Sequence, residues 1–235
     1  MAEGSAEFFD LLDPGTPGLE QVLMAAEAGQ FDRAQAAYLQ YHRDREQPVL
    51  HRGKAGEERS EAQMASFNFL IEPPPVIGWR DRDKVRPCIH TGTGFSFTRT
   101  EGALPTPYTV VDLANMVLEN QVFLPVHRAE GPQDLGPGWD WEHVPPIEGQ
   151  RWPMSLSYQY FLKPLAFSYW LTGDERYIAK LVKIIMHYIN YVDDRAEWMW
   201  LPDMQLARNY LQLLPFVLSW DGLEPGDLCT WLHWM

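Results

Sequence analysis

Five tryptophans stand at positions that no helical core stripe explains. The flat face of an indole can stack on the apolar C–H face of a sugar ring or of another amphipathic ligand. The same ring can also plug the end of a helical bundle, which is the packing alternative. We predict that at least one of these side chains contacts a ligand, and all five are candidate binding residues: Trp139, Trp141, Trp152, Trp198 and Trp200.

Acidic residues near these tryptophans offer a second kind of chemistry. A glycoside hydrolase needs two carboxyl groups held roughly 5–10 Å apart, and Asp140, Glu142 and Asp203 could supply such a pair. The seven histidines show no H-E-x-x-H or similar ligand spacing, and no G-x-S-x-G nucleophile motif occurs. We therefore predict no metal site and no cofactor.

Apolar residues at helical spacing predict the elements that must position these side chains. A first helical pair covers residues 19–46 and breaks at Gly29, and another helix covers residues 108–120. Between them, residues 72–107 contain many prolines and glycines, which predicts an irregular segment. A long loop rich in glycine, proline and tryptophan follows at residues 125–153, and its length is typical of functional or packing loops.

The stretch W-L-T-G-D-E-R-Y at 170–177 predicts the turn of a further hairpin. Gly173 can adopt the left-handed conformation that closes a helix, and Asp174 can cap the next helix. The apolar stripe before the turn contains Pro164. Because an interior proline costs a helix roughly 3 kcal/mol, this residue predicts either a kink or a helix that begins later than its stripe.

Two more helical stripes follow, and Pro215 interrupts the first of them. Repeated antiparallel hairpins are typical of an α/α toroid or of an α-superhelix, and the long aromatic-rich loops favour the toroid. We predict an all-α fold in which residues 19–235 form an incomplete α/α toroid and residues 1–18 form an N-terminal extension. The last stripe reaches Met235 without a C-cap, so we expect the natural chain to continue beyond it.

Composition narrows the classes of partner. The chain has 19 basic and 32 acidic residues and a net charge of −13, and a field of that sign repels nucleic acid and anionic membrane surfaces. Cys88 and Cys229 form no C-x-x-C pair, so we expect two buried free thiols, with a single disulfide as the alternative. The N-terminal residues lack the pattern of a secretory signal, and no apolar run is long enough to span a bilayer. We expect no nucleic-acid partner and no membrane partner.

Four stretches stand out when they are taken in order. They are A-G-Q-F-D-R-A-Q-A-A-Y-L-Q-Y-H-R-D-R-E-Q-P at 28–48, the loop tryptophans at 139–152, S-Y-Q-Y-F-L-K-P-L-A-F-S-Y-W-L-T-G-D-E-R-Y at 157–177, and W-L-P-D-M-Q-L-A-R-N-Y-L at 200–211. Together they resemble the N-terminal helical domain of heparinase II/III-like polysaccharide lyases, a group that includes alginate lyases of related fold. The resemblance runs from about residue 19 to the end and rests on order and spacing, since T-G-D-E-R-Y alone is common in helical hairpins.

The resemblance implies an incomplete α/α toroid, usually followed by a large antiparallel β-domain. Such lyases cleave heparin-like or alginate-like uronic-acid polysaccharides by β-elimination: one group neutralises the uronate carboxylate, a base removes the C5 proton and an acid assists the leaving oxygen. The family's Asn-His pair and tyrosine would fall beyond Met235, so we assign no catalytic residue within this chain. Arg208 matches an arginine of a family helix and is our candidate groove residue, with a helix-packing ion pair as the alternative.

The chain also departs from the family pattern. Met204 and Gln205 stand where the family often has an acidic residue one turn before that arginine, and the negative net charge opposes a polyanion unless basic residues cluster locally. We therefore predict one wall of a polysaccharide groove, inactive by itself, partnered by an acidic polysaccharide and a missing C-terminal β-domain. The resemblance suggests a periplasmic or secreted location. A non-catalytic helical-repeat module that binds a protein and an α/α toroid glycoside hydrolase stay open as alternatives.

Overall fold

The computed structural model describes residues 2–44, 108–124, 131–143, 152, 156–193 and 204–235. Within these ranges the fold is all-α, as predicted, apart from a short antiparallel strand pair and a 3₁₀ helix at Tyr160–Leu162. The helices are α1 (Ala2–Asp10), α2 (Glu20–Glu27), α3 (Phe31–Asp44), α4 (Val110–Leu118), α5 (Lys163–Thr172), α6 (Glu175–Asp193), α7 (Met204–Leu218) and α8 (Pro225–Trp234); the strands are β1 (Gln121–Val122) and β2 (Gln133–Asp134).

Helices α2 and α3 form the predicted first hairpin and turn at Gly29. This glycine has φ 70°, and a side chain there would meet the steric penalty of the left-handed region. Helix α1 lies in the segment predicted as an extension, yet it is packed: Phe8 and Phe9 are buried against α3 and α8, with Phe8 5.3 Å from the Tyr38 ring. The folded part of the chain therefore includes most of that segment.

Helix α4 begins at a reciprocal capping box. The Thr109 hydroxyl accepts a hydrogen bond from the backbone N–H of Asp112 at 3.1 Å, and the Asp112 carboxylate accepts one from the backbone N–H of Thr109 at 2.9 Å. Two hydrogen bonds to its carboxylate lower the pKa of Asp112. The backbone N–H of Thr109 has the larger effect and the Thr109 hydroxyl the smaller one. After the helix, Asn120 adopts φ 62°, and the chain enters the β1–β2 pair.

The hairpin of α5 and α6 turns where the sequence predicts. Gly173 closes α5 with φ 75°, and Asp174 caps α6 by accepting a 3.0 Å hydrogen bond from the backbone N–H of Arg176. Pro164 is the second residue of α5, in the first turn where no helical hydrogen bond is lost. The helix therefore begins later than its apolar stripe, which is one of the two predicted outcomes, and the 3₁₀ helix occupies the preceding turn.

Helices α7 and α8 complete the described fold. Helix α7 packs on α5, α3 and α6, and it continues past Pro215 to Leu218. From α3, the Arg43 guanidinium donates to the carbonyls of Leu218 and Trp220 at 3.3 and 2.7 Å, and so satisfies the end of α7. Helix α8 packs between α3 and α6. None of the helices in the described ranges is long and apolar enough to cross a membrane.

Candidate functional site

The structure buries the three loop tryptophans that it describes. Trp139, Trp141 and Trp152 retain 5%, 8% and 1% of their surface and belong to the main core, the apolar cluster that they form with residues of α4–α8. Trp139 forms a three-ring cluster with Trp141 and Phe161: its ring centroid is 5.7 Å from each of them, and they are 6.4 Å from one another. These three indoles are core residues, and so little of each is exposed that a stacked sugar would have to displace core neighbours.

Polar contacts fasten the same loop to one face of α6. The Trp141 indole N–H donates to His187 Nδ1 at 2.9 Å, and the Tyr191 hydroxyl donates to Glu142 Oε1 at 3.0 Å. Because Nδ1 accepts this hydrogen bond, the neutral His187 ring carries its proton on Nε2. His187 therefore has a structural partner, as expected of a histidine inside a helical pattern.

Lys180 holds the first tryptophan of the loop from the other end of that face. Its ammonium donates to Asn120 Oδ1 at 2.6 Å and lies 5.3 Å from the centre of the Trp139 ring, a cation–π contact. Burial is the main cause that lowers the pKa of Lys180, and the nearby charge of Lys183 acts in the same direction. Polar side chains of α6, namely Lys180, His187 and Tyr191, therefore help to hold the tryptophan loop in place.

A buried polar cluster, which we call the Gln159 clamp, ties the start of the 3₁₀ helix to α7. Gln159 is fully buried and adopts φ 53° and ψ 32°, a left-handed conformation that is uncommon for a residue other than glycine. The Tyr210 hydroxyl donates to Gln159 Oε1 at 2.8 Å. The Asn209 amide donates to the carbonyls of Tyr158 and Gln159, both at 3.1 Å. Two consecutive residues of α7 therefore hold one strained residue.

Several buried polar atoms in and beside the Gln159 clamp could form further hydrogen bonds. Among the described residues, no partner lies within reach of four buried polar atoms around Tyr210: Gln159 Nε2, Asn209 Oδ1, Tyr188 OH and Trp231 Nε1. The Tyr210 ring is 5.5 Å from Trp231 and 5.8 Å from Trp234, which in turn is 6.1 Å from Tyr188. Such atoms are rare in folded proteins and call for a water or another ligand.

Burial raises the pKa of both tyrosines in this region. For Tyr210 and for Tyr188, desolvation of the phenolate is the largest cause. Both hydroxyls therefore remain protonated at neutral pH, and that of Tyr210 donates to Gln159. Neither phenol is suited to removing a proton from a substrate, so the clamp supports structure and binding more readily than base catalysis.

The sequence did not single out Gln159 or Asn209 as functional residues. Both lie in quoted stretches, S-Y-Q-Y-F and A-R-N-Y, and each places an amide within an apolar helical stripe. That interruption is the signal that could have found them. Arg208, the predicted groove residue, lies in α7 directly before Asn209, and its side chain is outside the described part of the structure. Trp198, Trp200 and Asp203 also lie outside the described residues, as do residues 72–107 with Cys88.

Cysteine and metal chemistry contribute little in the described ranges. Cys229 is a residue of α8, and its buried free thiol packs against the α1–α3 helices. Burial raises the pKa of this thiol to about 12, which makes it a poor nucleophile. The residues that the structure describes contain no group of three histidine, cysteine or acidic side chains that could hold a metal ion. The polar chemistry available here is hydrogen bonding by neutral amides, phenols and indoles.

Most of the chain is similar to a known protein family. The family described as "Heparinase II/III N-terminus" matches residues 8–210, which is most of the chain. The chain belongs to this family. The resemblance stated from the quoted stretches is therefore confirmed, and the match begins inside α1, within the segment predicted as an extension. No curated protein matches the chain.

Two solved structures share the fold of this heparinase II/III N-terminal domain. One is a mutant of the heparan sulfate lyase HepC from Pedobacter heparinus, with a TM-score of 0.65 and 19% identity. The other is the heparan sulfate lyase HepC from the same organism, with a TM-score of 0.64 and 18% identity. Each match covers 97% of this chain and 30% of the HepC chain. The predicted incomplete α/α toroid is thereby confirmed, and the chain spans less than a third of the length of these relatives.

Proposed function

We propose that this domain is the N-terminal toroid portion of a polysaccharide lyase that cleaves uronic-acid-containing polysaccharides by β-elimination, and that it forms one wall of the substrate groove. The observation that carries the proposal is the family match over residues 8–210. The shared fold with a heparan sulfate lyase supports it. Heparin-like, heparan-like and alginate-like polymers all carry the uronate on which this chemistry depends.

The reaction has a defined balance. A base takes the C5 proton of the uronate, the electron pair of that C–H bond forms the C4–C5 double bond, and the C4–O bond breaks with its electrons passing to the leaving oxygen, which takes up a proton. We place the base and the acid beyond Met235, in the remainder of a longer enzyme. The match to only 30% of the HepC chain supports this assignment, because most of that lyase lies outside the part to which this chain is similar.

The contribution of this domain is then to bind and orient the polymer. We keep Arg208 as the proposed groove residue, since a guanidinium can bind a carboxylate or sulfate with two parallel hydrogen bonds. Trp198 and Trp200, which precede α7 in the sequence, stay proposed polymer contacts. For Trp139, Trp141 and Trp152, burial supports a role behind the wall, where they keep the loop and α6 in place. A following β-domain is the proposed partner that completes the groove.

The lyase proposal is tested by the nature of the product. The full-length protein that contains this chain is incubated with heparan sulfate and, separately, with polymannuronate. We expect ultraviolet absorbance to rise with at least one polymer, because β-elimination creates a C4–C5 double bond conjugated with the carboxylate. New reducing ends without ultraviolet absorbance would instead show a glycoside hydrolase. Absence of both, together with capture of a protein partner by the purified domain, would favour the interaction module.

A further inference from the structure

Two tyrosines on either side of Gln159 have a different environment from the loop tryptophans. Tyr158 and Tyr160 are half-buried, and each keeps part of its side chain at the surface. Their ring centroids are 5.8 Å apart and the ring planes are tilted by 58°. The sequence placed Tyr158 in the apolar stripe before the hairpin turn, and the structure places it outside any helix. Tyr158 and Tyr160 flank the clamp residue itself, and their partial exposure leaves a surface that a ligand can contact.

The backbone that carries both rings is held by α7. Gln159 between them is held in its left-handed conformation by Tyr210, and Asn209 binds the carbonyl of Tyr158. The buried ammonium of Lys163 lies 5.0 Å from the centre of the Tyr160 ring. A non-glycine residue in this conformation is strained, and such strain persists where the surroundings over-determine it. Rings held in this way lose little freedom on binding, which favours affinity.

The location of the two rings agrees with the proposed groove. Asn209, which holds the backbone of Tyr158, directly follows Arg208 in α7. The tyrosines therefore lie beside the helix that carries the proposed polymer contact. Phenol rings present an apolar face for the C–H groups of a pyranose and a hydroxyl for its polar edge. Two planes tilted against each other can contact one sugar by its face and an adjoining part of the polymer by its edge.

We propose that Tyr158 and Tyr160, the tyrosine platform, bind a pyranose of the uronic-acid polymer by stacking, with Gln159 as the residue that positions them. This inference rests on the proposed function. In the described part of the chain, the proposed aromatic contact for sugar is therefore this pair of half-buried phenols and not the buried indoles of Trp139, Trp141 and Trp152.

The platform is tested by binding measurements on the full-length protein. Heparan sulfate and polymannuronate decasaccharides are titrated by calorimetry against the wild type and the variants Tyr158→Leu and Tyr160→Leu. Loss of one stacking contact should weaken binding roughly three- to tenfold for each variant. Tyr158→Phe and Tyr160→Phe keep the ring and should remain within about twofold of the wild type. Tyr41→Leu, at a half-buried tyrosine on α3, is the matched control and should not alter binding.

A second measurement uses the unmodified protein and so does not depend on how the variants fold. Tyrosine nitration by tetranitromethane is mapped by mass spectrometry with and without the same decasaccharides. Saturating ligand should slow nitration of Tyr158 and Tyr160 several-fold while leaving Tyr41 unchanged. Equal nitration rates, or leucine variants that bind like the wild type, would overturn the platform even if the ultraviolet product forms. A protein that neither binds nor cleaves these polymers would overturn the proposed function as well.

Discussion

Replacing Trp139 with alanine should lower the free energy of unfolding by about 3–5 kcal/mol, the usual cost of removing a buried large aromatic side chain. The ring packs against Trp141 and Phe161 and lies 5.3 Å from the Lys180 ammonium, so its loss leaves a cavity that these three groups line. Guanidinium unfolding followed by circular dichroism measures the change directly.

Trp220→Ala is the matched control for that experiment. Trp220 is half-buried and donates its indole N–H to Glu175 at 3.1 Å. Its truncation should cost about 1 kcal/mol, the range of a single exposed hydrogen bond and partial burial. If Trp139→Ala unfolds like the wild type and only loses affinity for an oligosaccharide, the indole is a ligand contact, as the sequence first indicated, and the packing role assigned to it is wrong.

Replacing Asn209 with leucine should also destabilise the fold strongly. The amide donates to the carbonyls of Tyr158 and Gln159 at 3.1 Å each, in a site where Asn209 is 1% exposed. Leucine has a similar volume and no donor, so the change removes one hydrogen bond from each carbonyl, although the Gln159 carbonyl keeps the backbone N–H of Leu162 at 3.0 Å. A lost hydrogen bond of this kind costs about 0.5–1.5 kcal/mol, so the two together give a loss of about 1–3 kcal/mol in the free energy of unfolding.

The corresponding control is Asn190→Leu, at an exposed position of α6. A surface substitution of this kind should stay within about 0.5 kcal/mol of the wild type. Tyr210→Phe separates the two arms of the clamp, because it removes only the hydroxyl that donates to Gln159. Its expected cost is about 1–3 kcal/mol, since the buried Gln159 oxygen loses its donor. Equal stability of Asn209→Leu and Asn190→Leu would show that the clamp does not hold the 3₁₀ helix to α7.

The helical hairpins could be predicted because their determinants are local. A glycine at the helix end and an acidic cap after it define the α5–α6 turn, and both behave as predicted at Gly173 and Asp174. Pro164 was informative for the same reason, since proline acts on its own turn of helix. Apolar spacing then identified which faces pack, although it could not say how the hairpins are arranged around one another.

The candidate site depends on contacts that join distant parts of the chain. Asn209 and Tyr158 are 51 residues apart, and Trp141 and His187 are 46 residues apart. No periodicity reports such pairs, so the sequence could identify loop tryptophans but not that the fold buries them. Gln159 was missed for a related reason: left-handed backbone is expected at glycine, and a glutamine adopts it here because Asn209 and Tyr210 hold it there.

Hydrogen exchange of the full-length protein tests most directly whether this domain forms a wall of the substrate groove. Unsaturated oligosaccharides released from the polymer by the enzyme serve as ligands, because a product occupies the groove without being consumed. Peptides covering residues 156–163 and 204–210 should exchange several-fold more slowly when the ligand is bound, while peptides of α2 and α3 should be unaffected. Protection confined to regions outside these 235 residues, or equal exchange everywhere within them, would contradict the assignment of this toroid to polymer binding.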